Sequence, residues 1–192
     1  MCGSIARGMT VFTSVNDPEI TRILLAGGVG VVRTDTLYGL IARADDEAAV
    51  RRVYELKGRD DDKSPIVLIS AVEQIYDELS EVHRAYVDGV WPGPVSVIVP
   101  SHRAPSWIRR GNASVAYRLP DDSSLQDLLS ATGPLIAPSA NPQGMQPALN
   151  IREARYYFAD KVDFYVDGGQ VEHPQPSQLL RLEADGEVTR LR

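Results

Sequence analysis

The stretch GGVGVVRTDTLYGL, residues 27–40, marks the chain as one of alternating helices and strands. The residues before it predict a helix, because Asp17 is a good N-cap and Pro18 suits the first helical position. The glycine pair ends that helix, and the apolar run 29–32 predicts a buried strand that leads into RTDTLYGL. This order of elements is typical of an α/β protein.

The same alternation continues along the chain. Residues 45–57 predict the clearest helix, with Asp45 as its cap and Gly58 as the left-handed residue that ends it. Further helices are predicted at 71–78, 80–89, 123–131 and 151–158, and strands at 66–69, 95–99, 113–118, 134–137, 163–166, 179–182 and 187–191. No linker is long enough to separate two domains, so we expect one α/β domain with a mixed sheet. Its expected range is 16–192, after a flexible N-terminal leader at 1–15.

The composition is that of an ordinary soluble protein, with 43% apolar and 24% charged residues among 192. The 20 basic and 26 acidic residues give a net charge of −6, which argues against a non-specific nucleic-acid binder. One cysteine, Cys2, excludes a disulfide within the chain and indicates a reducing compartment, so we expect a cytoplasmic protein. No apolar run approaches the roughly 20 residues that span a bilayer.

The sequence shows no residues suited to several common kinds of catalytic site. The glycine-rich residues 27–30 match neither a P-loop nor a dinucleotide fingerprint. His83, His102 and His173 are scattered without metal-ligand spacing, and we expect each at the surface rather than in a catalytic triad. Cys2 lies in the terminal segment and is a poor nucleophile. Covalent catalysis by the protein is therefore not indicated.

A cluster of cations lies in KGRDDDKSP, residues 57–65. Only three of the 20 basic residues are lysines, and two of them, Lys57 and Lys63, fall here. One interpretation is a polyphosphate clamp made by these lysines and Arg59. The other is a helix C-terminus, where Lys57 and Arg59 complement the helix dipole.

A second candidate segment is APSANPQG, residues 137–144, directly after a predicted strand. It is either a strand-ending turn or a place where Ser139 and Asn141 meet a ligand at the carboxyl end of a strand. The hydroxyls of RTDTLYGL, with Thr34 and Thr36 on one side, and an arginine that ends the strand of VAYRLPD add donors. A site rich in anion-binding donors and poor in acid–base groups suits phosphoryl or nucleotidyl transfer.

The order of these motifs resembles the YrdC/TsaC family. The motifs are TDT-x-YGL, KGR-xxx-K-xP, WPGP, VAxRxPD, APSANPxG, VDGG and PSQLLRL, and they extend from about residue 20 to residue 192. The resemblance implies a single domain of the YrdC type, with a twisted mixed sheet, flanking helices and a concave, positively lined cleft. It also implies a nucleotidyltransferase that makes threonylcarbamoyl-AMP and pyrophosphate from L-threonine, bicarbonate or CO2, and ATP. The product serves tRNA modification.

The resemblance assigns roles to individual residues. The family's Lys-Arg-Ser-Asn tetrad, catalytic and ATP-binding, falls on Lys57, Arg59, Ser139 and Asn141. Further ATP contacts are implied for Lys63 and for a C-terminal arginine, with Arg192 in the better register and Arg190 in the other. Threonine recognition falls on Thr36, Arg118 and Ser177, of which Arg118 suits the substrate's carboxylate.

In the implied reaction the amine of threonine captures CO2 as a carbamate. The carbamate oxygen attacks the α-phosphate of ATP, and pyrophosphate leaves, so no protein nucleophile is needed. We expect Mg²⁺ to arrive with ATP, without a dedicated protein site. The product would pass to the proteins that transfer it to tRNA, so we expect weak or no direct tRNA binding and no membrane partner.

The chain departs from the family pattern at seven positions, Arg33, Leu68, Asp121, Asp122, Gln143, Pro147 and Gln178. We expect the short, stand-alone type of member. The departures leave two alternatives open. One is a paralogue of the same fold that acts on another amino acid or carbamoyl-adenylate. The other is a non-catalytic RNA-binding or ribosome-assembly factor, which would show salt-dependent RNA affinity and which the acidic charge disfavours.

Overall fold

The computed structural model describes residues 10–58, 63–183 and 185–192. The strands within these ranges are β1 Thr10–Phe12, β2 Gly30–Arg33, β3 Tyr38–Arg43, β4 Ile66–Leu68, β5 Val95–Pro100, β6 Ser114–Arg118, β7 Leu135–Ile136, β8 Phe164–Val166, β9 Gln178–Leu182 and β10 Val188–Arg190. The helices are α1 Pro18–Leu25, α2 Glu47–Lys57, α3 Glu81–Val90, α4 Ser106–Arg109, α5 Ser123–Thr132 and α6 Ile151–Phe158. None of these helices is long and apolar enough to cross a membrane.

The strands form one mixed sheet in the order β1-β8-β2-β3-β7-β4-β6-β5-β9-β10. Strand β8 runs parallel to β1 and β2, and the pairs β4–β6 and β5–β9 are also parallel. The remaining neighbours are antiparallel, including the hairpin of β2 and β3. The expected mixed α/β domain is confirmed.

Residue alternation gives the sheet two apolar faces, as the two-residue period of strands requires. One face carries Leu40, Val67 and Tyr117 into a large core that includes residues of α2, α3, α4 and α6. The other face carries Ile41 and Leu68 into a smaller core with α1 and α5. Among the described residues, α1 and α5 are the helices that contribute to this second core, and an open region lies beside it.

Two helix predictions need correction. Residues 71–78 form only a short 3₁₀ turn, Val72–Gln74. The side chain of Gln74 accepts from the backbone N–H of Ser70, and the carboxylate of Asp77 binds the backbone at residues 102–103, so side chains hold this segment as a loop.

The cap of α2 also differs from the expectation. Asp46, not Asp45, accepts from the backbone N–H of Ala49 at 3.0 Å, while Asp45 accepts from the hydroxyl of Tyr76. The left-handed end at Gly58 is confirmed by its φ of 56°.

The expected boundary at residue 16 is wrong for the described part of the leader. Residues 10–12 form β1, which pairs with β8 at the edge of the sheet. The ring of Phe12 packs edge-on against Phe164 with centroids 6.2 Å apart, which anchors the strand. The rest of the expected leader, residues 1–9, lies outside the described residues, as does Cys2.

His83 is likewise not at the surface. It is 7% exposed in α3, and its Nε2 lies 2.8 Å from the carbonyl oxygen of Glu183. It lies outside the open cleft described below.

We predict that Gly30→Ala destabilises the fold. A Cβ at this position would overlap the ring of Phe164, and such overpacking costs about 1–3 kcal/mol. The free energy of unfolding in urea measures the loss. Adding Phe164→Leu to Gly30→Ala should recover part of it. If the double variant shows only the sum of two independent losses, the ring is not the obstacle.

Candidate active site

A cleft of about 410 Å³ opens on the second sheet face, beside the core of α1 and α5. Its apolar lining comes from the strands and includes Ile66, Ile98, Ala116, Ala137 and Leu179. The polar lining includes Thr36, Lys63, Ser64, Asn112, Arg118, Ser139, Ser177, Arg181 and Arg192. Four of these side chains are cationic and, among the described residues, none that lines the cleft is a carboxylate. The cleft therefore suits an anion that also carries an apolar ring or chain.

The structure brings six of the sequence-predicted residues to this cleft, Thr36, Lys63, Arg118, Ser139, Ser177 and Arg192. Lys57 and Asn141 lie directly against Ser139 and bond to it. Arg59 lies outside the described residues. Arg192 lines the cleft and Arg190 is not among its lining residues, and the contact of either with ATP stays a prediction.

Lys57 is held by oxygen atoms of the Ser139 loop. Lys57 is buried, with only 5% of its surface exposed. The ammonium donates to the backbone carbonyl of Ser139, and to the carbonyl and side-chain oxygens of Asn141 at 2.8 and 3.3 Å. An ammonium has three protons, and each has an oxygen partner here. In this arrangement Lys57 fastens the loop, and a direct contact with phosphates stays a prediction.

The loop that carries Ser139 is tied to its surroundings at several points. The backbone N–H of Ala140 donates to the carbonyl of Tyr38 at 2.7 Å, and Gln143 donates to the carbonyl of Lys57 at 2.7 Å. The Ser139 hydroxyl donates to the Asn141 side chain at 2.6 Å. These bonds fix the orientation of the Ser139 hydroxyl at the cleft.

Two arginines define another part of the cleft. Arg118, at the end of β6, has a side chain 5% exposed and forms an ion pair with Asp35 at 3.0 Å. Arg192 donates from Nε to the carbonyl of Ser177 at 3.2 Å. Burial lowers the pKa of Arg118, the charge of Asp35 raises it, and the charge of Arg192 lowers it further. An anion bound between the two arginines would relieve this repulsion.

The threonines of RTDTLYGL lie in the four-residue loop that joins β2 and β3. Their hydroxyl oxygens, Oγ1 of Thr34 and Oγ1 of Thr36, are 3.1 Å apart, so the prediction that they share a side is confirmed. Thr34 also donates to the carbonyl of Leu37 at 2.8 Å. Both threonines line the cleft, and the hydroxyl of Thr34 lies 3.4 Å from Nη2 of Arg118.

Several departures from the family pattern lie away from the cleft. Arg33 donates to the carbonyl of Gly168 at 2.7 Å, so it holds the VDGG segment and does not add charge to the cleft. Tyr38 holds the same segment through its hydroxyl, which donates to Gly169 at 2.7 Å. Leu68 is fully buried in the core of α1 and α5, and Gln178 is an exposed residue at the start of β9.

Sequence reasoning missed several residues of the lining, including Arg181, Asn112 and Ser64. Arg181 could have been predicted from the sequence, because the two-residue alternation of β9 places it on the same strand face as Leu179. Asn112 and Ser64 come from separate loops that meet only in the fold, where the Asn112 amide donates to the Ser64 hydroxyl at 3.1 Å. No sequence signal points to that meeting.

Residues 22–192 match the model of the Sua5/YciO/YrdC family, whose description is telomere recombination. The chain belongs to this family. A relative from Marinobacter nauticus named threonylcarbamoyl-AMP synthase is 35% identical over 82% of this chain and 86% of its own length. One from Stutzerimonas stutzeri with the same name is also 35% identical, over 90% and 95% of the two chains.

Solved structures of the family share the fold. Sua5 of P. abyssi, in a complex with L-threonine, superposes with a TM-score of 0.84 at 29% identity. The match covers 96% of this chain and 57% of that one, so the chain spans little more than half of Sua5. E. coli YciO, with a TM-score of 0.84 at 20% identity over 96% and 95% of the two chains, supports the fold alone.

No cluster of three metal-ligating side chains is found in the part of the chain that the structure describes.

We predict that Lys57→Met loosens the Ser139 loop. It removes a charged donor from buried oxygens, which costs about 2–3 kcal/mol of unfolding free energy. Hydrogen exchange should accelerate at the backbone amides of Ala140, which donates to Tyr38, and of Ala148, which donates to Ala140. The matched control is Lys161→Met at an exposed lysine. Normal stability and normal exchange together with lost turnover would instead assign Lys57 to the ligand.

Proposed function

We propose that this chain is a threonylcarbamoyl-AMP synthase. The observation that carries the proposal is the cleft itself, in which cationic side chains and the Ser139 hydroxyl surround an apolar floor. The curated relatives that share most of its length carry the name of this enzyme. Neither the paralogue nor the RNA-binding alternative is favoured by those names.

The amino-acid end of the cleft lies at Arg118. A guanidinium binds a carboxylate through parallel hydrogen bonds, and Thr36 and Ser177 supply hydroxyls nearby. The related Sua5 structure was obtained in complex with L-threonine. We therefore take L-threonine as the substrate whose carboxylate meets Arg118.

The nucleotide occupies the rest of the cleft in this proposal. The strand-borne floor, with Ile66 and Leu179, is an apolar surface for the adenine ring, while Lys63 and Arg192 meet the phosphates. ATP supplies the adenylyl group, and Mg²⁺ is expected to come with it, bound through its phosphate oxygens. In this proposal the cations of the cleft lining help to neutralise the phosphate charge.

The chemistry balances without a protein nucleophile. Threonine and bicarbonate give N-carboxythreonine and water, and the carbamate oxygen then attacks the α-phosphorus. The bond to the bridging oxygen breaks and pyrophosphate leaves. The protein contributes by holding the carbamate in line and by stabilising the charge on the phosphate oxygens. Ser139, fixed by Asn141, is placed to orient the reacting group.

The product is a reactive mixed anhydride that must reach a second protein. We propose that it passes to the proteins that transfer threonylcarbamoyl to tRNA and that the pathway is cytoplasmic. The described residues give the cleft a local positive lining within an acidic chain, so tight tRNA binding is not expected.

Purified protein incubated with ATP, bicarbonate and Mg²⁺ should release pyrophosphate only when L-threonine is added. Mass spectrometry of the same mixture should show threonylcarbamoyl-AMP. Each of the other amino acids serves as a control for specificity. Threonine-independent release, or a product of another mass, would reject the proposal.

Arg192 and an exposed arginine outside the cleft lining offer a paired test of the nucleotide end. Arg192→Ala should raise the KM for ATP about tenfold, since one charge-assisted contact is worth about 1.5 kcal/mol or more. The control Arg152→Ala, at an exposed residue of α6 outside the cleft lining, should leave it within about twofold. Steady-state kinetics with ATP varied at saturating threonine measures both. Equal effects of the two changes would remove Arg192 from the site.

A further inference from the structure

Asp35 is a buried carboxylate that the proposed reaction does not use. It lies in the loop between β2 and β3, with a side chain 6% exposed. Its Oδ1 is 3.0 Å from Nη2 of Arg118. Neither carboxylate oxygen has a hydrogen-bond partner among the described residues. Burial raises the pKa of Asp35, and the charge of Arg118 together with the neighbouring backbone N–H groups of Asp35 and Asp121 offsets only part of that cost. A buried ion pair is weak evidence for stability, so stability alone does not account for Asp35.

Arg118 is also only partly satisfied by the protein. Its Nε is buried and has no hydrogen-bond partner in the described part of the chain. Its Nη2 reaches the hydroxyl of Thr34 only at 3.4 Å. A guanidinium carries five N–H donors, and Arg118 lines the cleft. Both contacts with the described residues are made by Nη2, so the donors of Nη1 remain for an anion bound in the cleft.

The pair has a third charged neighbour. Arg192 lines the same cleft and its charge opposes the charge on Arg118. Burial acts in the same direction, and Asp35 is the carboxylate that counteracts both. Without Asp35, a buried guanidinium would face a second one with no fixed negative charge to hold it. It would then turn away from the cleft or recruit another anion.

We propose that Asp35 is a positioning residue for the amino-acid substrate. Its carboxylate holds one side of the Arg118 guanidinium, so that the unpartnered donors face the substrate's carboxylate. The inference rests on the proposed function and deepens it, because it names what orients the threonine-binding arginine. Asp35 acts through Arg118 and does not touch the substrate, so it controls threonine binding and not ATP binding.

Kinetics of Asp35→Asn separate this role from a purely structural one. The change should raise the KM for threonine about 10- to 100-fold and leave the KM for ATP within about twofold, because one charged contact is lost at one end of the cleft. Asp127→Asn removes a charge from the exposed surface of α5 and is the matched control. Asp35→Glu keeps the charge and should bring the threonine KM back to within about fivefold of the original.

A double-variant cycle tests whether Asp35 acts through Arg118. Arg118→Gln alone should raise the threonine KM, and adding Asp35→Asn should cause no further rise, because the group being positioned is gone. Losses that add would overturn the proposal. If Asp35→Asn fails to fold, the comparison of Arg118→Gln with the double variant still decides, since the double variant removes both charges of the buried pair.

Failure of the inference is distinguishable from failure of the proposed function. If the unmodified protein releases pyrophosphate with threonine and Asp35→Asn keeps its threonine KM, only the positioning role is overturned. An equal rise in the threonine and ATP constants also overturns it, because that result indicates a general structural defect. If the unmodified protein shows no threonine-dependent release, the proposed function fails and the inference falls with it.

Discussion

The contact of the Lys57 ammonium with the Ser139 loop is the interaction on which the site depends. It joins the last residue of α2 to a loop that also bonds to β3, so three parts of the chain meet around one buried charge. Oxygens of that loop replace the water that a lysine would otherwise need. A stretch of chain that lacks regular structure is thereby tied to both α2 and β3.

The cleft exists because the sheet is covered unequally. Four helices share the core of one face, whereas α1 and α5 share that of the other and leave its remainder open. The exposed strands carry small and apolar residues into the floor, and the loops around them carry cations and hydroxyls. An enzyme that handles a nucleotide needs both, since the base is apolar on its faces and the phosphates are charged.

Local signals determine how far the sequence predicts this structure. Helix α2 is well predicted, because an acidic cap, an apolar stripe and a left-handed glycine all lie within a dozen residues. Strand β3 is missed, since its first residues belong to a motif that suggests a ligand loop and its burial on both sides comes from distant cores. The helix expected at 71–78 fails because its own Gln74 side chain accepts from the backbone N–H of Ser70 and its Asp77 side chain accepts from the backbone at residues 102–103.

The same distinction applies to the site. Motif order predicts which residues gather at the cleft, and six of them do. It does not predict that Lys57 faces carbonyl oxygens or that Asp35 is buried against Arg118. Both facts depend on where loops far apart in the chain meet, and no local pattern encodes a partner's position.

The walls of the cleft come from segments near residues 36, 63, 118, 139 and 192, and only the completed sheet brings these segments together. An unfolded or partly paired chain therefore has no such cleft, and a ligand that fits it binds the native state alone. Such a ligand adds to the free energy of unfolding of the whole domain by mass action, about 2.7 kcal/mol at a concentration of 100 times its dissociation constant. In a cell, the substrate concentration would then affect the lifetime of the protein as well as its turnover rate.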